Sequence, residues 1–357
     1  MDLNTLHIVW FLVVGVLFVG YFVLDGFDFG VGMSLPFLGK DDVGRRQIIN
    51  TIGSVWDMNE TWLIVAGACL FAGFPEWYAT LFSGAYLALF LILIALIARG
   101  VSFEYRHQGK GEKWTKWFDG MIVFGSVVPA LLWGVAVADI VHGLPIEYTG
   151  GVDGYQYTGI PLLSLLTPYG LLGGVTTLLL FFTHGVHYVA LKTDGQIKED
   201  AHKLAFKLGI ATIVVAASFL LWTVIAHFSV LVLLCALIAA VALISAVALN
   251  YLQRDGWAFT MGVVTVVFAV LTLWMVLLTS YSEPMVMPST VGSTPEEILA
   301  NSLTLSAAGS TLPTMQFMLW VAAFALPVVL CYQAWTFWVF RKRVTRASIE
   351  KAAAVAH

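Results

Sequence analysis

The chain has 357 residues, 59% of them hydrophobic and only 11% charged, with a formal net charge of −4. This is the composition of a polytopic membrane protein, and no basic stripe with interleaved aromatics exists, so nucleic acid is not an expected partner. The three cysteines, Cys69, Cys235 and Cys331, fall in apolar segments where they read as small packing residues, not as a disulfide framework or metal site.

A membrane-spanning helix needs roughly 20 apolar residues at 1.5 Å rise each. That rule picks out segments near 7–36, 50–71, 78–98, 117–140, 162–190, 207–226, 229–250, 258–280 and 316–340. The first segment is too long for a signal-peptide core, and no Lys or Arg occurs in the first 39 residues, so it is expected to stay in the mature protein. With nine spans, all 18 Lys and Arg fall in alternate loops. They follow span one (Lys40, Arg45, Arg46), three (Arg99 to Lys116), five (Lys192 to Lys207), seven (Arg254) and nine (Arg341 to Lys351). By the positive-inside rule the N-terminus is outside and the C-terminus cytoplasmic. The outer loops 141–161, with Glu147 and Asp153, and 281–315, with several prolines, do not read as separate domains. Trp10, Trp77, Tyr78, Trp114 and Trp338 lie near span ends, as interfacial anchors do.

The expected architecture is all-α: a first four-helix bundle (1–140), a second (162–280), and a peripheral ninth helix with a cytoplasmic tail (316–357). A short internal match supports a parallel duplication. L-D-G-F-D-F-G in span one lines up with T-H-G-V-H-Y-V in span five, so that His184 and His187 stand where Asp25 and Asp28 do.

The acids inside spans carry the functional reading, because unneeded charge in a bilayer costs a few kcal/mol per residue or more. Asp25 and Asp28 are three apart in span one and share a helix face; V-W-D-M-N-E-T-W opens span two with Asp57, Asn59 and Glu60. Asp25 should lie roughly 16 Å, and Asp57 roughly 10 Å, from the inner end of its helix. Arg99 and Asp119 are expected at the same inner level. An arginine among carboxyls suits a proton-uptake route and equally suits a structural ion-pair network. No basic residue in its own span could neutralise Asp57, which favours a functional role. Glu60, three residues on, either extends that path or hydrogen-bonds to a partner. His184 and His187, three apart on one helix, cannot ligate one iron from opposite faces, so they read as packed or hydrogen-bonded side chains.

Three motifs within the first 106 residues carry a resemblance. G-V-L-F-V-G-Y-F-V-L-D-G-F-D-F-G-V-G-M, R-R-Q-I-I-N-T-I-G-S-V-W-D-M-N-E-T-W-L and A-R-G-V-S-F-E-Y-R resemble subunit II of the cytochrome bd-type quinol oxidases, and the nine-span layout extends the likeness over the chain. The resemblance implies a respiratory terminal oxidase of a bacterial or archaeal cytoplasmic membrane that oxidises quinol and reduces oxygen to water, drawing protons from the cytoplasm. It implies that haem b and haem d are held by subunit I, that this chain ligates none, and that the two subunits pack as pseudo-symmetric partners. It places Asp57 and Asp25 on a proton route, which Glu60 could extend, and Asp28, Arg99 and Asp119 in a buried polar cluster beside it. It places Trp62 near an oxygen path. It admits a structural quinone, bound lipid and a small single-helix third subunit. Glu60 stands where some relatives carry an uncharged amide, so its role does not carry over directly. Two rival readings remain: a proton-coupled secondary transporter with acids at a repeat interface, and a membrane scaffold whose acids only pair with Arg99.

Overall fold

The computed structural model describes residues 2–109, 111–150, 154–160 and 162–355; Lys110 and Asp153 lie outside them. The fold is all-helical, and eight of its helices are long and apolar enough to cross a membrane. They are α1 (Leu3–Leu38), α5 (Tyr86–Tyr105), α6 (Glu112–His142), α7 (Pro168–Lys192), α8 (Gly195–Ala226), α9 (Val230–Tyr251), α10 (Asp255–Thr279) and α13 (Leu312–Val339).

The segment expected as span two is divided. Its first residues, Thr51 and Ile52, end α2 (Asp42–Ile52), a helix that starts where the Asp41 side chain accepts from the Gly44 amide and that buries one face. The chain breaks at Gly53-Ser54-Val55, and α3 (Trp56–Gly73) begins afresh. The apolar count ran across this break because residues 51–55, T-I-G-S-V, carry no charge. A further break after Gly84 separates a short α4 (Pro75–Gly84) from α5.

The long helices pack in sequence order: α5 on α6, α6 on α7, α7 on α8, α8 on α9 and α9 on α10. α1 runs through the middle against α3, α6, α7 and α10. Its aromatic residues Phe11, Phe18, Tyr21 and Phe22 interlock with Trp133 and Trp274. The tightest crossing is between α1 and α7, where a Cβ on Gly30 would fall 2.0 Å from the Phe181 carbonyl oxygen and one on Gly185 would fall 2.3 Å from Gly30. Only glycine allows the backbones this close.

The two long loops expected on the outer side hold two antiparallel ribbons that the sequence did not announce: β1 (Ile146–Tyr148) with β2 (Tyr155–Tyr157), and β3 (Met285–Met287) with β4 (Leu303–Thr304). Two short helices, α11 (Pro295–Asn301) and α12 (Leu305–Ala308), complete the second loop, the first opened by a Thr294–Glu297 capping box. At the end of the bundle that carries α2, the tail after α13 is strapped down. Lys192 donates to the Phe340 and Lys342 carbonyls, Gln47 to that of Val344, and Arg343 to Asp255. The last helix, α14 (Arg346–Val355), docks on α2 through Arg346 and Asp41, 2.6 Å apart. That contact and the Gly44 amide hold the Asp41 carboxyl below the usual carboxylate range.

Candidate functional site

Four helices meet around one guanidinium. Arg99 of α5 is fully buried, and its Nη2 donates to Asp25 Oδ1 of α1 and to Glu60 Oε1 of α3, both at 2.5 Å. Its guanidinium carbon lies 4.4 Å from the centre of the Phe29 ring, a cation–π contact that fixes the plane. The helix behind it makes room. A Cβ on Gly125 of α6 would fall 2.5 Å from the Ala95 carbonyl and 2.6 Å from Arg99 Cβ, so α6 presents bare backbone at this level.

Asp28, one turn along α1 and equally buried, does not touch Arg99; its Oδ2 accepts from Asn59 Nδ2 of α3 at 2.8 Å. Asn59 Oδ1 in turn accepts from Gln333 Nε2 of α13 at 3.0 Å, and Gln333 Oε1 accepts from Trp62 Nε1 at 3.4 Å. Among the described residues, Asp25 Oδ2, Asp28 Oδ1, the Tyr21 hydroxyl and Arg99 Nε and Nη1 have no protein partner. A patch of buried donors and acceptors of this kind is where ordered water is held.

Three expectations need correction. Asp119 is not beside Arg99: Arg106 Nε donates to its Oδ1 at 2.6 Å and Arg45 to its Oδ2 at 3.2 Å, while Arg106 also reaches Asp42 at 2.8 Å. Gly125 is the α6 residue level with Arg99, and Asp119 lies six residues nearer the start of α6, about 9 Å at 1.5 Å per residue. Burial alone would loosen the Arg106 proton, but Asp119 and Asp42 outweigh it and hold the guanidinium more firmly charged than usual. Second, the buried partners of Arg99 are Asp25 and Glu60, so Glu60 is a member of the cluster and Asp28 is tied to an amide chain instead. Third, Asp57 does not lie roughly 10 Å along its helix, and it is exposed. The break at Gly53 puts it in the first turn of α3, on an outward face shared with Thr61, Ile64, Val65, Ala68 and Phe71.

Trp62 is buried on the opposite side of α3, packed where a Cβ on Gly20 of α1 would fall 2.2 Å from its ring. It does not line the apolar groove of about 530 Å3 that runs between α3, α4 and α5 past Leu63, Gly67, Phe71 and Phe90. His184 of α7 stacks on Phe259 at 4.8 Å and its Nε2 is 3.3 Å from the Val23 carbonyl oxygen; His187 is buried without a partner among the described residues. Among those residues no group of three or more His, Cys, Asp or Glu is arranged to hold a metal.

Sequence reasoning missed Gln333, Tyr21 and Asp139. Gln333 is an isolated amide in the last apolar span, and Asp139 is an acid inside span four, so the test applied to Asp25 would have found both. Asp139 is buried near the C-terminal end of α6, accepting from the Thr167 hydroxyl at 2.5 Å, far along that helix from the level of Arg99.

Comparison with known proteins agrees over nearly the whole chain. The family model described as cytochrome bd terminal oxidase subunit II matches residues 6–340. The chain is 36% identical over 353 residues to the cytochrome bd ubiquinol oxidase subunit 2 of Bacillus subtilis, covering 96% of this chain and 97% of that relative. It is 33% identical over 387 residues to the cytochrome bd-I ubiquinol oxidase subunit 2 of Escherichia coli K12, covering 98% of each. Among solved structures, a chain of the bd oxidase from Geobacillus thermodenitrificans superposes with a TM-score of 0.72 at 16% identity, covering 94% of this chain and 98% of that one, a likeness of fold.

Proposed function

The chain belongs to the cytochrome bd terminal oxidase subunit II family and so is part of a membrane-embedded quinol oxidase; from that premise we propose that its own chemical task is to pass cytoplasmic protons toward the oxygen-reducing site. The observation that carries this reading is the single guanidinium of Arg99 shared by Asp25 and Glu60, with Asp28 one turn away. One cation does not balance three carboxyls, and a buried excess of negative charge is relieved by binding protons. Oxygen reduction to water consumes protons as well as electrons, and taking them from the inner side makes turnover electrogenic without a pump.

The route begins at Asp57 and Glu60 near the start of α3 and continues to Asp25 and Asp28, with water between the unpartnered oxygens and the Arg99 and Tyr21 donors. Arg99 orients Asp25 and Glu60 and keeps their negative form tolerable in a low-dielectric setting. Glu60 retains partial exposure, its side chain 22% accessible, and so stands between the outward face and the buried pair. Asp119, with Arg45, Arg106 and Asp42, forms an inner-surface ion network at the mouth of this region.

Subunit I is the partner implied by family membership, and we place it against the outward face of α3. A carboxylate aimed at lipid is costly, so the face that bears Asp57 calls for a protein neighbour. The haems are assigned to subunit I, where they carry electrons from quinol to oxygen. The mostly exposed flank of α13, including Phe317, Trp320, Phe324 and Trp335, would be covered by subunit I, lipid or a small single-helix third subunit. Oxygen, being apolar, has the groove past Leu63 and Phe71 open to it, with Trp62 on the other side of the same helix.

A structural quinone finds a poor ring site in the small apolar cavity of about 70 Å3 among α6, α7, α8, α9 and α10. Its lining threonines Thr176, Thr177 and Thr265 all spend their hydroxyls on their own helix backbones, and the remaining polar lining group is the Trp133 indole, a donor without a protein partner among the described residues. The cavity suits an acyl or isoprenoid chain, and we give a quinone no step. The finer architecture we favour is nine spans, with α3 the ninth, N-terminus outside, C-terminus cytoplasmic. In it residues 1–140 and 162–280 form two parallel halves, with α1 and α7 as counterparts at their seam.

The test is Asp25→Asn in the whole complex reconstituted into liposomes, following quinol-driven oxygen consumption and generation of membrane potential. Loss of ten-fold or more in turnover with haem content intact supports the reading. Unchanged turnover and potential would leave the scaffold reading, in which the acids only pair with Arg99.

A further inference from the structure

We infer that Trp62, Gln333 and Asn59 form a polarised hydrogen-bond chain that orients Asp28, keeping its Oδ2 an acceptor and presenting only Oδ1 for proton exchange, with Gln333 of α13 the positioning residue that links the last span to the acid cluster. This rests on the proton reading above and names which oxygen of one acid takes part.

The sense of the chain follows from donor chemistry. An indole Nε1–H can only donate. The Trp62 contact to Gln333 at 3.4 Å therefore fixes the glutamine oxygen on that side, which turns its NH2 toward Asn59 Oδ1 at 3.0 Å. Asn59 then has only its NH2 to offer Asp28, at 2.8 Å. Each amide orientation is thus set by the one before it, and the series starts from a group that cannot reverse. A proton on Asp28 Oδ2 would face the Asn59 NH2, two donors opposed, so Asp28 carries its proton on Oδ1. Oδ1 has no partner among the described residues.

The placement of Gln333 is selective. α13 exposes nearly all of its side chains in this chain, and its buried residues are Met315, Gln333 and Thr336. Met315 lies at the outer end, where its carbonyl accepts from Trp10, and the Thr336 hydroxyl turns back to its own Tyr332 carbonyl. Gln333 alone of the three sends a polar side chain across to another helix. Other titratable groups around Asp28 are Asp25 on α1, Glu60 on α3, Arg99 on α5 and Tyr188 on α7. None of them touches Oδ2, so removing Gln333 disturbs the orientation of Asp28 while leaving the Arg99 pairs in place.

The experiment uses the intact complex with Gln333→Leu, Trp62→Phe and Asp28→Asn, each checked for haem content. pH-difference infrared spectra identify the Asp28 carboxyl band as the one missing in Asp28→Asn. The expected result is a shift or splitting of that band in both Gln333→Leu and Trp62→Phe, with the pH profile of turnover displaced and KM for quinol unchanged. Full-haem Gln333→Leu and Trp62→Phe complexes with an unshifted band overturn the orientation inference. A Trp62→Phe effect confined to KM for oxygen overturns it as well, since it assigns Trp62 to oxygen access. Wild-type turnover and pH profile in Asp28→Asn instead remove Asp28 from the proton route, and the infrared comparison still decides the orientation by itself.

Discussion

Replacing Arg99 by alanine leaves Asp25 and Glu60 without the cation that both contact at 2.5 Å, in a site where the arginine and Asp25 side chains have no accessible surface. Breaking one partner out of a buried ion pair costs about 3–5 kcal/mol. Where this chain melts as its own cooperative unit within the complex, an unfolding entropy of about 2.1 cal/mol/K per residue over 357 residues is roughly 0.75 kcal/mol/K, so the Tm of that transition should fall by roughly 4–7 °C. The carboxyls can escape the penalty by taking up protons, so the deficit should narrow as pH is lowered and widen as it is raised. The assay is thermal unfolding of the purified complex at several pH values, with haem content as the check on assembly. The double variant Arg99→Ala/Asp25→Asn should recover part of the loss, because one stranded carboxyl is gone. A Tm within 1 °C of wild type, with no pH dependence, would show that water already reaches these carboxyls and would refute the buried-cluster argument.

Three other outcomes are expected. Asp57→Asn should leave the complex assembled while slowing quinol-driven oxygen consumption several-fold, since Asp57 lies in the first turn of α3 on an outward face and supports no core contact; full activity removes it from the route. Gly30→Ala should cut the yield of haem-loaded complex, because its Cβ would meet the Phe181 carbonyl at 2.0 Å and overpacking a crossing costs about 1–3 kcal/mol. Gly120→Ala on α6, which meets nothing within 4 Å, is the matched control. Asp41 has a depressed carboxyl pKa in the folded chain, so its contact with Arg346 stabilises the tail above the ordinary aspartate value near ~3.9 and is lost as pH falls through the lower folded value. Hydrogen exchange in α14 should therefore quicken on acidification below that range, and Arg346→Ala should release the tail at neutral pH.

Most of the membrane layout was legible in the sequence because it depends on local quantities. Apolar run length marked the eight long helices among the described residues. The acids Asp25, Asp28 and Glu60 stood out by the cost of charge in a bilayer, and Arg99 as their cation. What only the tertiary structure decided was which groups meet. Arg99 finds Asp25 and Glu60 because Gly125 lets α5 approach α6 at that level, and Asp119 goes to Arg106 because antiparallel packing sets it about two turns below. Asp57 faces outward because the backbone breaks at Gly53, a break that a hydropathy window averages away. Gln333 joins the acids from 274 residues beyond Asn59, through contact between α13 and α3. Residue type and spacing fix depth along one helix, but pairing across helices depends on rotation and register, which packing of the whole set determines.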